Sequence, residues 1–242
     1  MDKIQNVEFD TENMKNSKEI LVPDSSQDLK LNMFNTSMNL LSHILIGSVV
    51  GISVLYTFRA GNMDATRIHI ILCVLGYQLL MAEAILSLSP HNSWSSSLKL
   101  VYKRRIHWVL QILGSGLAIA GSFIKILDKE IHWNSLHGQF ALVALVFTSV
   151  SMINGLSSLY AYELRRILPG TLSKITHICF GTVAFVAAST CLCYGFDKNS
   201  FRSWATPELA YMSIAFTAAF TFIIVINPLV LFVDKSLAVL KR

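Results

Sequence analysis

The sequence predicts an all-α protein, a six-transmembrane-helix bundle, on three observations. Apolar residues fill 53% of its 242 positions, and Asp, Glu, Lys and Arg only 14%; soluble domains carry about 25% charged residues to cover their surface. The apolar residues collect in six long stretches, and the polar ones in the short connections between them. Each stretch is close to the ~20 residues that a helix needs to cross a hydrocarbon core.

The spans run over residues 37–58, 68–88, 106–127, 136–160, 175–194 and 209–233. Turn-forming groups separate them: Gly61-Asn62, Ser89-Pro90, Asp128-Lys129-Glu130, Pro169-Gly170 and Asp197-Lys198-Asn199. Pro228 falls inside the sixth span, where membrane helices tolerate proline, and it is expected to kink that helix. Residues 1–37 are polar, with a net charge of −3 and no apolar run of the kind a cleavable leader needs. They read as a disordered cytosolic tail. The membrane domain is then 38–235, followed by a short cytosolic tail at 236–242. Asn35-Thr36-Ser37 matches a glycosylation sequon, which this topology leaves unused.

Cytoplasmic loops of membrane proteins hold the excess of Lys and Arg. One side of this chain has Lys99, Lys103, Arg104, Arg105, Arg165, Arg166, Lys174, Lys235, Lys241 and Arg242. The other has only Arg59, Arg67, Lys125, Lys129, Lys198 and Arg202. Both termini are therefore expected in the cytosol.

Several function classes drop out. The net charge of +5 is scattered over short segments, with no basic stripe for a nucleic acid. The four cysteines all lie in apolar stretches, and Cys191-x-Cys193 has neither a redox nor a zinc spacing, so they read as small buried residues. No H-E-x-x-H zinc helix and no G-x-S-x-G nucleophile motif is present.

Four histidines carry the chemistry. His69, His107, His137 and His177 each stand near the start of a consecutive span, the second to the fifth. Ionisable groups at membrane depth are costly, and they usually serve a function. Spans two and four run in one direction and spans three and five in the other. His69 and His137 therefore share one membrane face, and His107 and His177 the opposite one. Two facing imidazoles are a haem arrangement. Four and seven residues after each histidine, on the same helical face, stand Cys73 and Gly76, Gln111 and Gly114, Ala141 and Ala144, Gly181 and Ala184. Seven of these eight are small, which leaves room for a flat macrocycle; close helix packing is the competing reading.

The strings His107-Trp108-Val109-Leu110-Gln111 and His137-Gly138-Gln139, and Gly181 four residues after His177, resemble the cytochrome b561 family. The likeness is to its cytochrome b561 domain-containing branch, and it covers residues 38–235. One departure is His69-Ile70, where the branch has His-Pro. Proline at a helix start mainly fixes the backbone, so the ligand is expected to be kept.

The resemblance implies two haem b groups, one on His69 and His137 and one on His107 and His177. It implies a transmembrane oxidoreductase that takes electrons from cytosolic ascorbate. The acceptor on the far side would be ferric iron or the monodehydroascorbate radical. A homodimer in the bilayer of endomembranes or vesicles is a further family expectation. Lys103, Arg104, Arg105 and Lys174, with Arg165 and Arg166, would attract the anionic donor, and Arg67 would pair a haem propionate. Glu83 and His43 read as polar contacts near the cytosolic face, and His132 as a loop residue able to meet iron outside. A non-redox channel or transporter with a histidine-lined proton or metal path is the competing reading. A haem-bearing subunit without turnover is a third.

Overall fold

The computed structural model describes residues 26–160 and 170–241. Arg165, Arg166, Arg242 and the first part of the N-terminal tail lie outside the described residues. Among the described residues the chain is helical, without strands. Six helices are long and apolar enough to cross a membrane: α1 Ser26–Thr57, α2 Ala65–Leu86, α3 Leu100–Leu127, α4 Leu136–Leu159, α5 Gly170–Phe196 and α6 Pro207–Leu240. A single turn, Asn199–Arg202, lies between α5 and α6.

The helices outrun the spans predicted from apolarity. α1 begins at Ser26, inside the segment read as a disordered tail, and α6 continues past Asp234 and Lys235 to Leu240. An apolar run measures only hydrocarbon thickness, whereas helical hydrogen bonding continues into the polar zone where Gln27, Leu29 and Lys30 are good helix formers. Pro228 sits within the continuous α6.

Side-chain caps set the helix starts. Asp64 accepts from the Arg67 N–H at 2.8 Å and so caps α2. That N–H holds the Asp64 carboxyl below the usual carboxylate range. Ser135 caps α4 through Gly138 N, and Thr206 caps α6 through Leu209 N, with Pro207 in the first turn.

Arg67 closes the α1–α2 connection. Its Nη1 donates to the carbonyls of Thr57, Arg59 and Gly61, and its Nη2 to that of Ala60. Thr57 ends α1, and the other three carbonyls belong to the turn that follows it. Gly61 has φ +114°, and a Cβ there would stand 2.9 Å from Arg67 Nη2, so the turn requires glycine twice over.

Residues Val74–Met81 of α2 form a π-helical stretch. Its Gly76, Tyr77 and Gln78 are all buried. Tyr77 and Met81 fill the middle of the bundle against alanines of three other helices: Ala118, Ala144, Ala187 and Ala188. A second core joins α1, α2, α5 and α6 around Ile46, Val49, Phe185, Phe220 and Ile224. Gly76 and Gly114 bring α2 and α3 into backbone contact: a Cβ on Gly76 would lie 2.6 Å from Gly114 O. These two glycines were expected to leave room for a macrocycle. They close a helix interface instead, because each faces the neighbouring main chain.

Candidate functional site

The four histidines form two pairs. The ring centres of His69 and His137 are 6.3 Å apart, and those of His107 and His177 are 6.2 Å apart. In both pairs the ring planes are nearly perpendicular. This is the pairing that the direction of the spans predicts.

Every ring is held through Nδ1 by a main-chain oxygen of a neighbouring helix. His69 bonds Gly121 at 2.9 Å, His107 bonds Ala84 at 2.8 Å, His137 bonds Cys191 at 2.9 Å, and His177 bonds Ser151 at 3.0 Å. A carbonyl only accepts, so Nδ1 carries the hydrogen and Nε2 keeps its lone pair. Neutral imidazoles with Nδ1–H anchored and Nε2 free are the form that ligates a metal.

The spacing fits a metal between the rings. A metal–imidazole bond of about 2.0–2.1 Å on each side, with about 1.2 Å from nitrogen to ring centre, gives a centre-to-centre distance of about 6.5 Å. Among the described residues no three His, Cys, Asp or Glu side chains gather to hold a bare metal ion. Two protein ligands per site suit a metal that brings its remaining ligands with it, as haem iron does.

The anchors also give the depth of the sites. Cys191 lies fourteen residues beyond His177 on α5, Ser151 fourteen beyond His137 on α4, and Gly121 fourteen beyond His107 on α3. Each interval corresponds to about 21 Å of helix. The two pairs therefore stand near opposite ends of α2–α5.

A cavity of about 300 Å³ adjoins His69 and His137. Its walls include Ala141 and Ala144, two of the small residues predicted to make space. Lys125, Lys129, Lys198 and His132 also line it. Lys125 is tied to Thr66 and Asp128. Arg67 is not among the lining residues, since its guanidinium faces the α1–α2 carbonyls described above.

At the other pair the predicted cations divide. Lys103 is buried, and its Nζ donates to Ser89 O at 3.0 Å, fastening the α2–α3 loop to the start of α3. Arg104, Arg105 and Lys174 are exposed. Arg105 leans over the Tyr102 ring.

Sequence reasoning passed over two features. Cys73 Sγ lies 3.5 Å from His69 Nδ1, and Cys191 Sγ lies 3.4 Å from His137 Nδ1. The four-residue step from His69 to Cys73 was a visible signal, but nothing in the sequence joins Cys191 to His137. His43 and Glu83, read as separate contacts, meet at 2.7 Å.

A family model described as eukaryotic cytochrome b561 matches residues 68–202, which span α2 to α5 and the turn after them. The chain is 32% identical over 150 residues to the mouse protein named transmembrane reductase CYB561D2, covering 60% of this chain and 67% of that one. The human and bovine proteins of the same name are 32% and 31% identical over the same shares. The chain belongs to the cytochrome b561 family of haem b-binding transmembrane oxidoreductases.

Proposed function

We propose that this protein passes electrons from cytosolic ascorbate to an acceptor on the other side of an endomembrane or vesicle, either ferric iron or the monodehydroascorbate radical. His69 with His137 and His107 with His177 would each hold one haem b as axial ligands. The observation that carries this reading is the spacing of the two pairs, at 6.3 and 6.2 Å, with every Nδ1 anchored. Haem b would supply a one-electron ferric/ferrous couple at each pair of histidines.

The chain's own residues do the rest. The four carbonyl anchors fix the tautomer and direction of each ring and leave Nε2 with its lone pair. Anchors about 21 Å apart along each helix set the two sites toward opposite membrane surfaces. Arg104, Arg105 and Lys174 give the His107/His177 end an exposed cationic rim, which draws in an anionic donor. Lys103 supports that rim by holding the loop beneath it. Lys129 and Lys198 do the same for an anionic acceptor at the cavity beside His69 and His137.

A reduced-minus-oxidised spectrum of the purified protein with ascorbate tests the reading. A Soret band and a sharp reduced α-band are expected, and each His→Ala replacement should remove one haem and leave the other. A colourless, folded protein would overturn it in favour of a histidine-lined channel or transporter. Haem spectra without ascorbate-driven ferric reduction in vesicles would leave a subunit lacking turnover. Replacing Arg104 and Lys174 with Ala should weaken ascorbate reduction, and unchanged kinetics would remove them from the donor site.

A further inference from the structure

We propose that Glu83, anchored by His43 of α1, is a positioning residue for His107 and lowers the potential of the haem on His107 and His177. The proposal rests on the haem reading above. Glu83 directly precedes Ala84, whose carbonyl accepts the Nδ1–H of His107. The other three anchoring carbonyls belong to Gly121, Cys191 and Ser151, and their neighbours in sequence are Ala120 and Ser122, Thr190 and Leu192, Val150 and Met152. None of those six side chains is acidic or basic. Only the peptide that orients His107 has an ionisable side chain beside it.

The hydrogen bonds around Glu83 fix its position. Ser95 Oγ donates to Ser87 O at 2.9 Å, so it accepts from Asn92 Nδ2, also at 2.9 Å. That turns Asn92 Oδ1 toward His43 Nε2, 3.0 Å away, with Asn39 Oδ1 at 3.2 Å. Nε2 must therefore carry a hydrogen. Nδ1 faces Glu83 Oε1 at 2.7 Å, a separation that needs a proton between them. Glu83 Oε2 also accepts from Trp94 Nε1 at 3.3 Å. The side chains of His43 and Glu83 are only 19% and 21% exposed, which limits screening by water. Lys103 is turned to Ser89 O instead.

Glu83 thus ties the last turn of α2 to α1 and to the loop after it, and so fixes the Ala84 carbonyl. A firm Nδ1–H···O=C bond makes an axial imidazole more basic, which favours ferric iron. The effect reaches the haem through the Ala84 carbonyl, and it lowers the potential of that site. α1 lies outside residues 68–202, so the His43 contact is not part of what the family model matches.

The test is a redox titration of the purified holoprotein, with each haem assigned through His107→Ala and His137→Ala. Glu83→Gln should raise the midpoint of the His107/His177 haem by at least 59 mV, a tenfold change in its oxidised-to-reduced ratio. The other haem should not move, Glu83→Asp should restore most of the shift, and the low-spin EPR signal of the affected haem should change with it. Should Glu83→Gln fail to fold, His43→Gln carries the test and is expected to move the same haem alone. Unchanged midpoints, or equal shifts of both haems, overturn the proposal. A wild-type protein without haem would instead overturn the reading beneath it.

Discussion

His137 donates its Nδ1–H to the main-chain oxygen of Cys191 across 2.9 Å, and the Cys191 sulfur stands 3.4 Å from the same nitrogen. Main chain and side chain of one residue thus meet one imidazole. The carbonyl alone sets the tautomer, because it can only accept. Cys191→Ser, which keeps the carbonyl and nearly the volume, should retain both haems. Cys191→Phe fills the cavity beside His137 and should cost the protein one haem. Pyridine haemochrome assay per mole of protein distinguishes the two. Loss of haem in Cys191→Ser would show that the sulfur is needed.

Two glycines lie against histidine rings at different distances. A Cβ on Gly155 would meet His177 Cε1 at 3.1 Å and Nδ1 at 3.4 Å, while one on Gly195 would meet His137 at 3.6 Å. The first is tight enough to push the ring, and the second is ordinary contact. Gly155→Ala should perturb the spectrum of the haem at His107/His177 and lower its occupancy. Gly195→Ala should leave both haems as they are. Equal behaviour of the two variants in reduced spectra would refute the distinction.

Gly76 opposes backbone, so it cannot be relieved by side-chain movement. A Cβ there would lie 2.6 Å from Gly114 O and 2.8 Å from Ala118 N. Gly76→Ala should force α2 and α3 apart and destabilise the bundle by about 1–3 kcal/mol, the usual cost of overpacking. Gly116→Ala is the control, since nothing stands within 4 Å of its added Cβ. Thermal unfolding in detergent should drop for the first and not for the second.

Lys129 and Lys198 line the cavity beside His69 and His137. Charge on a cavity wall concentrates oppositely charged substrates and loses its effect in salt. Lys129→Glu with Lys198→Glu should slow reduction of an anionic ferric chelate about tenfold at low ionic strength, and the difference should shrink as salt is added. A cationic acceptor should respond in the opposite sense. Stopped-flow oxidation of the reduced protein reads both, and indifference to acceptor charge would remove the lysines from the acceptor path.

The sequence by itself determined the class and the pairing. Apolar runs long enough to cross a bilayer gave six helices, since no other open-ended element satisfies its backbone in lipid. A histidine near the start of four consecutive spans, read with alternating direction, put His69 with His137 and His107 with His177. Only the tertiary structure decided what holds those rings. Their partners are the carbonyls of Gly121, Ala84, Cys191 and Ser151, and every residue has a carbonyl, so no residue type marks them. The same limit hid Arg67 and Lys103. Their charges were plain in the sequence, but Arg67 serves the end of α1 and Lys103 the Ser89 carbonyl, because main-chain oxygens left bare at helix ends and turns claim the nearest buried cation. The meeting of His43 with Glu83, forty residues apart, depends on how α1 packs on α2, which neither helix's own pattern of residues contains.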